Sequence, residues 1–98
     1  MQFSVRVTEY QKNMMLNICD AELLGKKITQ DELNIHISES YYGERFVERE
    51  EAESLLKTSS IINMAGKKTV TLSLKLGIGS EKAVKIVSDV PFLIIFNM

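Results

Sequence analysis

With 98 residues, a formal net charge of −1, and 45% hydrophobic and 26% charged residues, the chain has the composition of one small globular domain with a modest core. Its longest apolar run, Val90–Phe96, is far too short for a membrane span, its start lacks a secretory signal pattern, and its one cysteine, Cys19, excludes an internal disulfide. Residues 1–54 carry 11 acidic and 6 basic side chains and residues 55–98 only 2 and 6, which marks a basic working face unless the two halves interleave.

Phe3, Val5 and Val7 alternate with Ser4, Arg6 and Thr8, the period of a half-buried strand. A turn at Gln11–Asn13 leads to a second alternating run through Met14, Leu16 and Ile18, so the two read as a hairpin. Asp20 stands where an N-cap belongs, ahead of a short helical turn Ala21–Leu24, with Gly25 at the position favoured just past a helix end. Lys26–Ile28 is expected to be extended, Thr29–Glu32 to turn, and Leu33–Ile37 to form a third strand. The polar, aromatic segment Ile37–Glu44 reads as a loop. Val47–Lys57 carries its apolar residues roughly on one helical face, with Glu50 and Glu51 early and Lys57 late, as the helix dipole favours.

Local signals conflict over Lys67–Leu76. Val70, Leu72, Leu74 and Leu76 alternate as in a strand, while Lys75, Gly77 and Ile78 form a helix-stop pattern; the pattern alone favours a strand. Val84–Val87 and Phe92–Phe96 are expected to be strands, the last apolar enough for burial on both faces. The fold class that follows is α+β: a single domain over residues 1–98, with an antiparallel or mixed sheet and two main helices packed on it. That sheet would hold the N-terminal hairpin, the Leu33–Ile37 strand and the C-terminal strands.

Three motifs in order carry a family resemblance. Cys19-Asp20-Ala21-Glu22-Leu23-Leu24-Gly25-Lys26, Ser38-Glu39-Ser40-Tyr41-Tyr42-Gly43 and Ile61-Ile62-Asn63-Met64-Ala65-Gly66 resemble segments of an uncharacterised archaeal family, domain of unknown function 424. The resemblance implies a compact α+β fold and an archaeal, cytoplasmic source. It also implies that Lys67–Leu76 is a helix with Gly66 near its N-cap. The family often carries Gly-x-Pro-His-Ala-Gln near its end, where this chain reads Asp89-Val90-Pro91-Phe92-Leu93-Ile94; no role of that histidine or glutamine transfers.

Candidate binding residues follow from chemistry. Tyr41 and Tyr42 offer rings for stacking on unpaired bases or for anchoring a protein partner, beside Glu39 and with Gly43 allowing close backbone approach. A purely structural role, one ring covering the core edge, explains the pair as well. Lys26, Lys27, Lys67 and Lys68 form two basic pairs that each follow a glycine; converging, they would suit phosphate together with helix N-terminal amides, while solvated lysines at loop exits are the plainer and favoured reading. Asn63, inside the third motif, joins these candidates. Cys19 and Asp20 are secondary ones, since a thiol at a helix start can be activated. Small-residue packing and capping account for both with less. One His and one Cys make no closed zinc site, and no phosphate-loop, dinucleotide or metalloprotease motif is present, so neither metal nor cofactor is expected. The leading expectation is a non-enzymatic cytoplasmic binding module for RNA or a ribonucleoprotein. The alternatives are a protein-interaction adaptor or homodimer, and a small thiol or acid–base enzyme around Cys19, Asp20 and Glu39.

Overall fold

The computed structural model describes residues 2–96. Phe3–Tyr10 (β1) and Asn13–Asp20 (β2) form the expected hairpin, in register from Phe3 opposite Asp20 to Tyr10 opposite Asn13. A 3₁₀ turn, Ala21–Leu23, leads to a small hairpin of Lys27–Gln30 (β3) and Leu33–His36 (β4). One helical turn, Glu39–Tyr42 (α1), precedes Arg45–Val47 (β5) and the helix Arg49–Thr58 (α2). Ile61–Ala65 (β6), the helix Lys67–Lys75 (α3), Lys85–Val87 (β7) and Val90–Phe96 (β8) complete the chain.

Six strands make one mixed sheet in the order β5-β1-β2-β6-β8-β7, with only β2 and β6 running parallel. Two expectations need correction, and one strand is not assigned from the sequence. The Leu33–Ile37 segment does not join this sheet; it pairs with β3 in a separate two-stranded sheet. The strand that does sit inside the sheet is Ile61–Ala65, to which periodicity assigns no element because apolar residues face both its sides. The last strand is not buried on both faces: Ile94 is 59% and Phe96 72% exposed on one face, while Leu93 on the other is buried.

Alternation along the strands divides the side chains between two layers. Phe3, Val5, Leu16, Ile18, Ile62, Met64 and Leu93 face α2 and α3 and form the main core with Ala52, Leu56, Val70 and Leu72. Cys19, Ala65 and Phe92 face outward and are covered by Ile28, Ile35 and Ile37 of the small hairpin and by Tyr42. The small hairpin therefore serves as a cover for one half of the outer face.

The conflict over Lys67–Leu76 resolves as a helix. Thr69, Val70, Leu72 and Ser73 are buried, while Lys67, Lys68, Thr71 and Lys75 are exposed, which is one helical stripe against another. Polar Thr69 and Ser73 can be buried because each hydroxyl is bonded: Thr69 Oγ1 donates to Asp20 Oδ1 at 2.8 Å and Ser73 Oγ to the Ile78 carbonyl at 2.7 Å. Two bonded hydroxyls on the buried face create the false strand alternation.

Candidate functional site

Asp20 caps a helix, though not the one that follows it. Its side chain makes no capping bond to Ala21–Leu23. Instead Oδ2 accepts from the Lys68 amide at 3.0 Å and Oδ1 from the Thr69 amide at 2.8 Å, at the start of α3. Parallel pairing explains this, because Cys19 stands opposite Ala65 and so brings Asp20 beside Gly66. Gly66 has φ +114, and a Cβ added there would lie 2.3 Å from Asp20 Cγ. The glycine is thus required both by its backbone and by the carboxylate packed against it. Two of α3's first amides, those of Lys68 and Thr69, are thus bonded to the chain's own carboxylate rather than open to a phosphate.

Cys19, one residue back, points to the opposite layer and is 0% exposed. Burial, followed by the charges of Asp20 and Glu22, pushes its thiol from the ordinary value of 9.0 up to about 12. The helix-start activation considered for Cys19 does not operate, since a thiol held protonated at neutral pH is a poor nucleophile. Cys19 and Tyr42 belong to the same outer cluster, but Glu39 is exposed on the outside of α1, so the three do not share a pocket. Among the described residues, no three His, Cys, Asp or Glu side chains gather where a metal could bind.

The tyrosine segment is a helical turn rather than a loop, and its two rings differ. Tyr42 is 7% exposed, and burial pushes its phenol above the ordinary value. Its carbonyl accepts from Ser4 Oγ at 2.8 Å, which ties the turn to β1. Tyr41 is 45% exposed, and its ring packs edge-on against Tyr42 with centroids 5.1 Å apart and an interplanar angle of 73°. Gly43 allows close approach to the chain's own backbone: an added Cβ would lie 2.8 Å from the Glu39 carbonyl oxygen.

Beneath Tyr41 runs a row of outward-facing polar side chains. The register sets Arg6 opposite Asn17, Asn17 opposite Asn63, and Asn63 opposite Ile94. Asn63 Nδ2 donates to Asn17 Oδ1 at 2.8 Å, and Asn17 Nδ2 donates to the Tyr41 carbonyl at 3.0 Å. Arg6 has no ion-pair partner among the described residues. The covering cluster ends one row away, at Cys19, Ala65 and Phe92, leaving Arg6, Asn63, Ile94 and Phe96 on the open half of the face.

The four lysines do not share this surface. Lys26 and Lys27 are exposed at the start of the small hairpin, where Lys27 pairs with His36. Lys67 and Lys68 begin α3 on the helical layer, on the far side of the sheet from Tyr41. The Lys26 and Lys68 charges do meet at Glu22: Lys68 Nζ lies 3.3 Å from its Oε2, and both cations add to the lowering of its pKa, whose largest cause is a hydrogen bond from its own backbone amide. The expected convergence of tyrosines and lysines is therefore replaced by two separate surfaces. Sequence reasoning missed Arg6 and Asn17; their signal was membership of the polar set on the alternating strands β1 and β2.

The family model described as protein of unknown function (DUF424) matches residues 8–98. The chain belongs to this family. In fold it is similar to an uncharacterized conserved protein from Methanopyrus kandleri, whose crystal structure superposes with a TM-score of 0.74 at 20% identity, covering 98% of this chain and 93% of that one. No functionally curated protein matches the chain. Among the described residues no helix is long and apolar enough to cross a membrane.

Proposed function

We propose that this protein is a non-enzymatic binding module for unpaired RNA, held on the open half of the outer sheet face. The observation that carries the reading is the exposed Tyr41 ring, braced by Tyr42, its backbone carbonyl held by the Asn17–Asn63 amide row, with Arg6, which has no ion-pair partner among the described residues, in the same row. An aromatic face stacks on a base of any sequence, amides bond base edges, and an arginine attracts the backbone. Phe96, 72% exposed on the same face, adds a second ring. In this reading Tyr42 is a brace and the lysines act elsewhere.

The test is a titration with single-stranded RNA at low and high salt. Binding is expected at low salt and weaker binding at high salt. Tyr41→Ala is expected to weaken it on the order of tenfold, the loss of one stacked base, while Tyr41→Phe retains it. Absence of binding at low salt overturns the reading.

One observation favours protein association as a second reading. β7 begins at Lys85, opposite Phe92, so among the described residues no strand pairs with the outer edge of Ile94–Phe96. An open edge accepts another strand. The antiparallel ladder turns the Ile94 amide toward that open side, so Ile94→Pro would block edge pairing without breaking the inner ladder. Light scattering that finds only monomer at high concentration, with and without this change, removes the homodimer form of this reading.

A further inference from the structure

The helical layer carries a second surface, independent of the RNA reading. Between α2, α3 and the start of β1 lies a cleft of about 350 Å³. Four cations line it, Arg49, Lys67, Lys68 and Lys75, with Thr71 among them and Phe3 and Leu72 as an apolar floor; no carboxylate contributes to its wall. Lys67, Thr71 and Lys75 recur every four residues and so form one stripe along α3. Lys67 and Lys75 have no ion-pair partner among the described residues. Lys68 is held by Glu22 and Arg49 by Glu53 at 2.9 Å, through exposed contacts that leave other N–H donors of both cations available.

Glu22 and Glu53 offset two of these charges from outside the cleft, which leaves Lys67 and Lys75 as net positive charge along one stripe, and a polyanion relieves their repulsion. The amides at the start of α3 are already bonded to Asp20, so an anion here has to be held by side chains. Lys67 and Lys75 are separated by roughly 12 Å along the helix axis, farther than a single phosphate reaches. We propose that this cleft is a binding site for a ligand carrying two or more phosphates in series. The guanidinium of Arg49 would take one group through paired N–H donors, and the lysines would act as point charges along the chain. The same chemistry is presented by a free polyphosphate, by a nucleotide and by an RNA backbone.

The experiment follows amide chemical shifts of the full chain on addition of inorganic tripolyphosphate, orthophosphate or single-stranded RNA at low salt. Tripolyphosphate is expected to move the resonances of Arg49, Lys67, Thr71 and Lys75 and to bind more tightly than orthophosphate. Lys67→Gln with Lys75→Gln is expected to weaken it on the order of tenfold, whereas the exposed pair Lys82→Gln with Lys85→Gln leaves it unchanged. Shifts at these residues with RNA but not with tripolyphosphate also support the site and assign it to a nucleic-acid backbone. Tripolyphosphate binding that survives Tyr41→Ala separates this site from the sheet face, so either reading can fail without the other. No shift with any of the three, or shifts spread evenly over all lysines, overturns the proposal.

Discussion

The two faces of the six-stranded sheet are made from the same strands and meet different fates. The inner face is sealed: Leu16, Ile18, Ile62 and Met64 are buried beneath α2 and α3. The outer face is sealed only where the small hairpin and Tyr42 sit on Cys19 and Ala65, and one row along it gives way to Arg6, Asn63 and exposed Ile94. The inner face accounts for stability by apolar burial, while the outer face holds the polar row and the exposed rings that a partner could use. Where a layer needs no cover to fold, its residues are free to serve recognition.

The sharpest break of this comparison is a pair of truncations. Ile18→Ala, on the inner face, is expected to destabilise by about 3 kcal/mol in urea unfolding, and Ile94→Ala, on the outer face, by less than about 0.5 kcal/mol. Comparable losses would mean that the outer face is covered in solution.

Gly66→Ala tests the point where β6 leaves the sheet. With φ +114 and the Asp20 carboxylate in the way, the substitution is expected to lower stability by about 3 kcal/mol, measured by the same unfolding. Asp20→Asn should lose less, about 1–2 kcal/mol, because an amide oxygen still accepts one of the α3 amides.

The last expected effect concerns Cys19 and is confined to alkaline pH. Its thiol keeps its proton in the native state up to about 12, whereas the unfolded chain releases it near 9.0. Between these values the unfolded state binds fewer protons, so stability falls as pH rises; below about pH 9 the thiol contributes its full share. Cys19→Ala is expected to flatten the part of that alkaline slope that belongs to the thiol, leaving the part due to Tyr42. An unchanged slope would place the thiol in contact with solvent.

Much of the architecture was legible in the chain. The first hairpin, α2 with its charged ends, and the α+β class follow from periods of two and of about 3.6 and from dipole-matched charges. β6 was illegible for a physical reason: both its faces carry buried apolar residues, Ile62 and Met64 inward and Ile61 and Ala65 outward, with Asn63 alone between them, so no period of two shows in five residues. α3 was ambiguous because Thr69 and Ser73 lie buried, where pattern reading expects apolar residues. Asp20 was correctly read as a cap but assigned to its neighbour in sequence, since only the parallel pairing of β2 with β6 reveals the helix it serves. Of the candidate site, Tyr41 and Asn63 fall together on one face. The lysines went elsewhere because α3 packs on the other side of the sheet.

The adjacent pair Cys19-Asp20 has a consequence for how the chain avoids misassembly. One side chain is lodged in an apolar pocket and the next reaches the opening turn of a helix. Sliding β2 by a single position would exchange the two, driving a carboxylate into hydrocarbon and leaving two amides with only a thiol to meet them. Each penalty alone is substantial, and they arise together, so this dipeptide works as a two-sided key that disfavours misregistered pairing of the central strands.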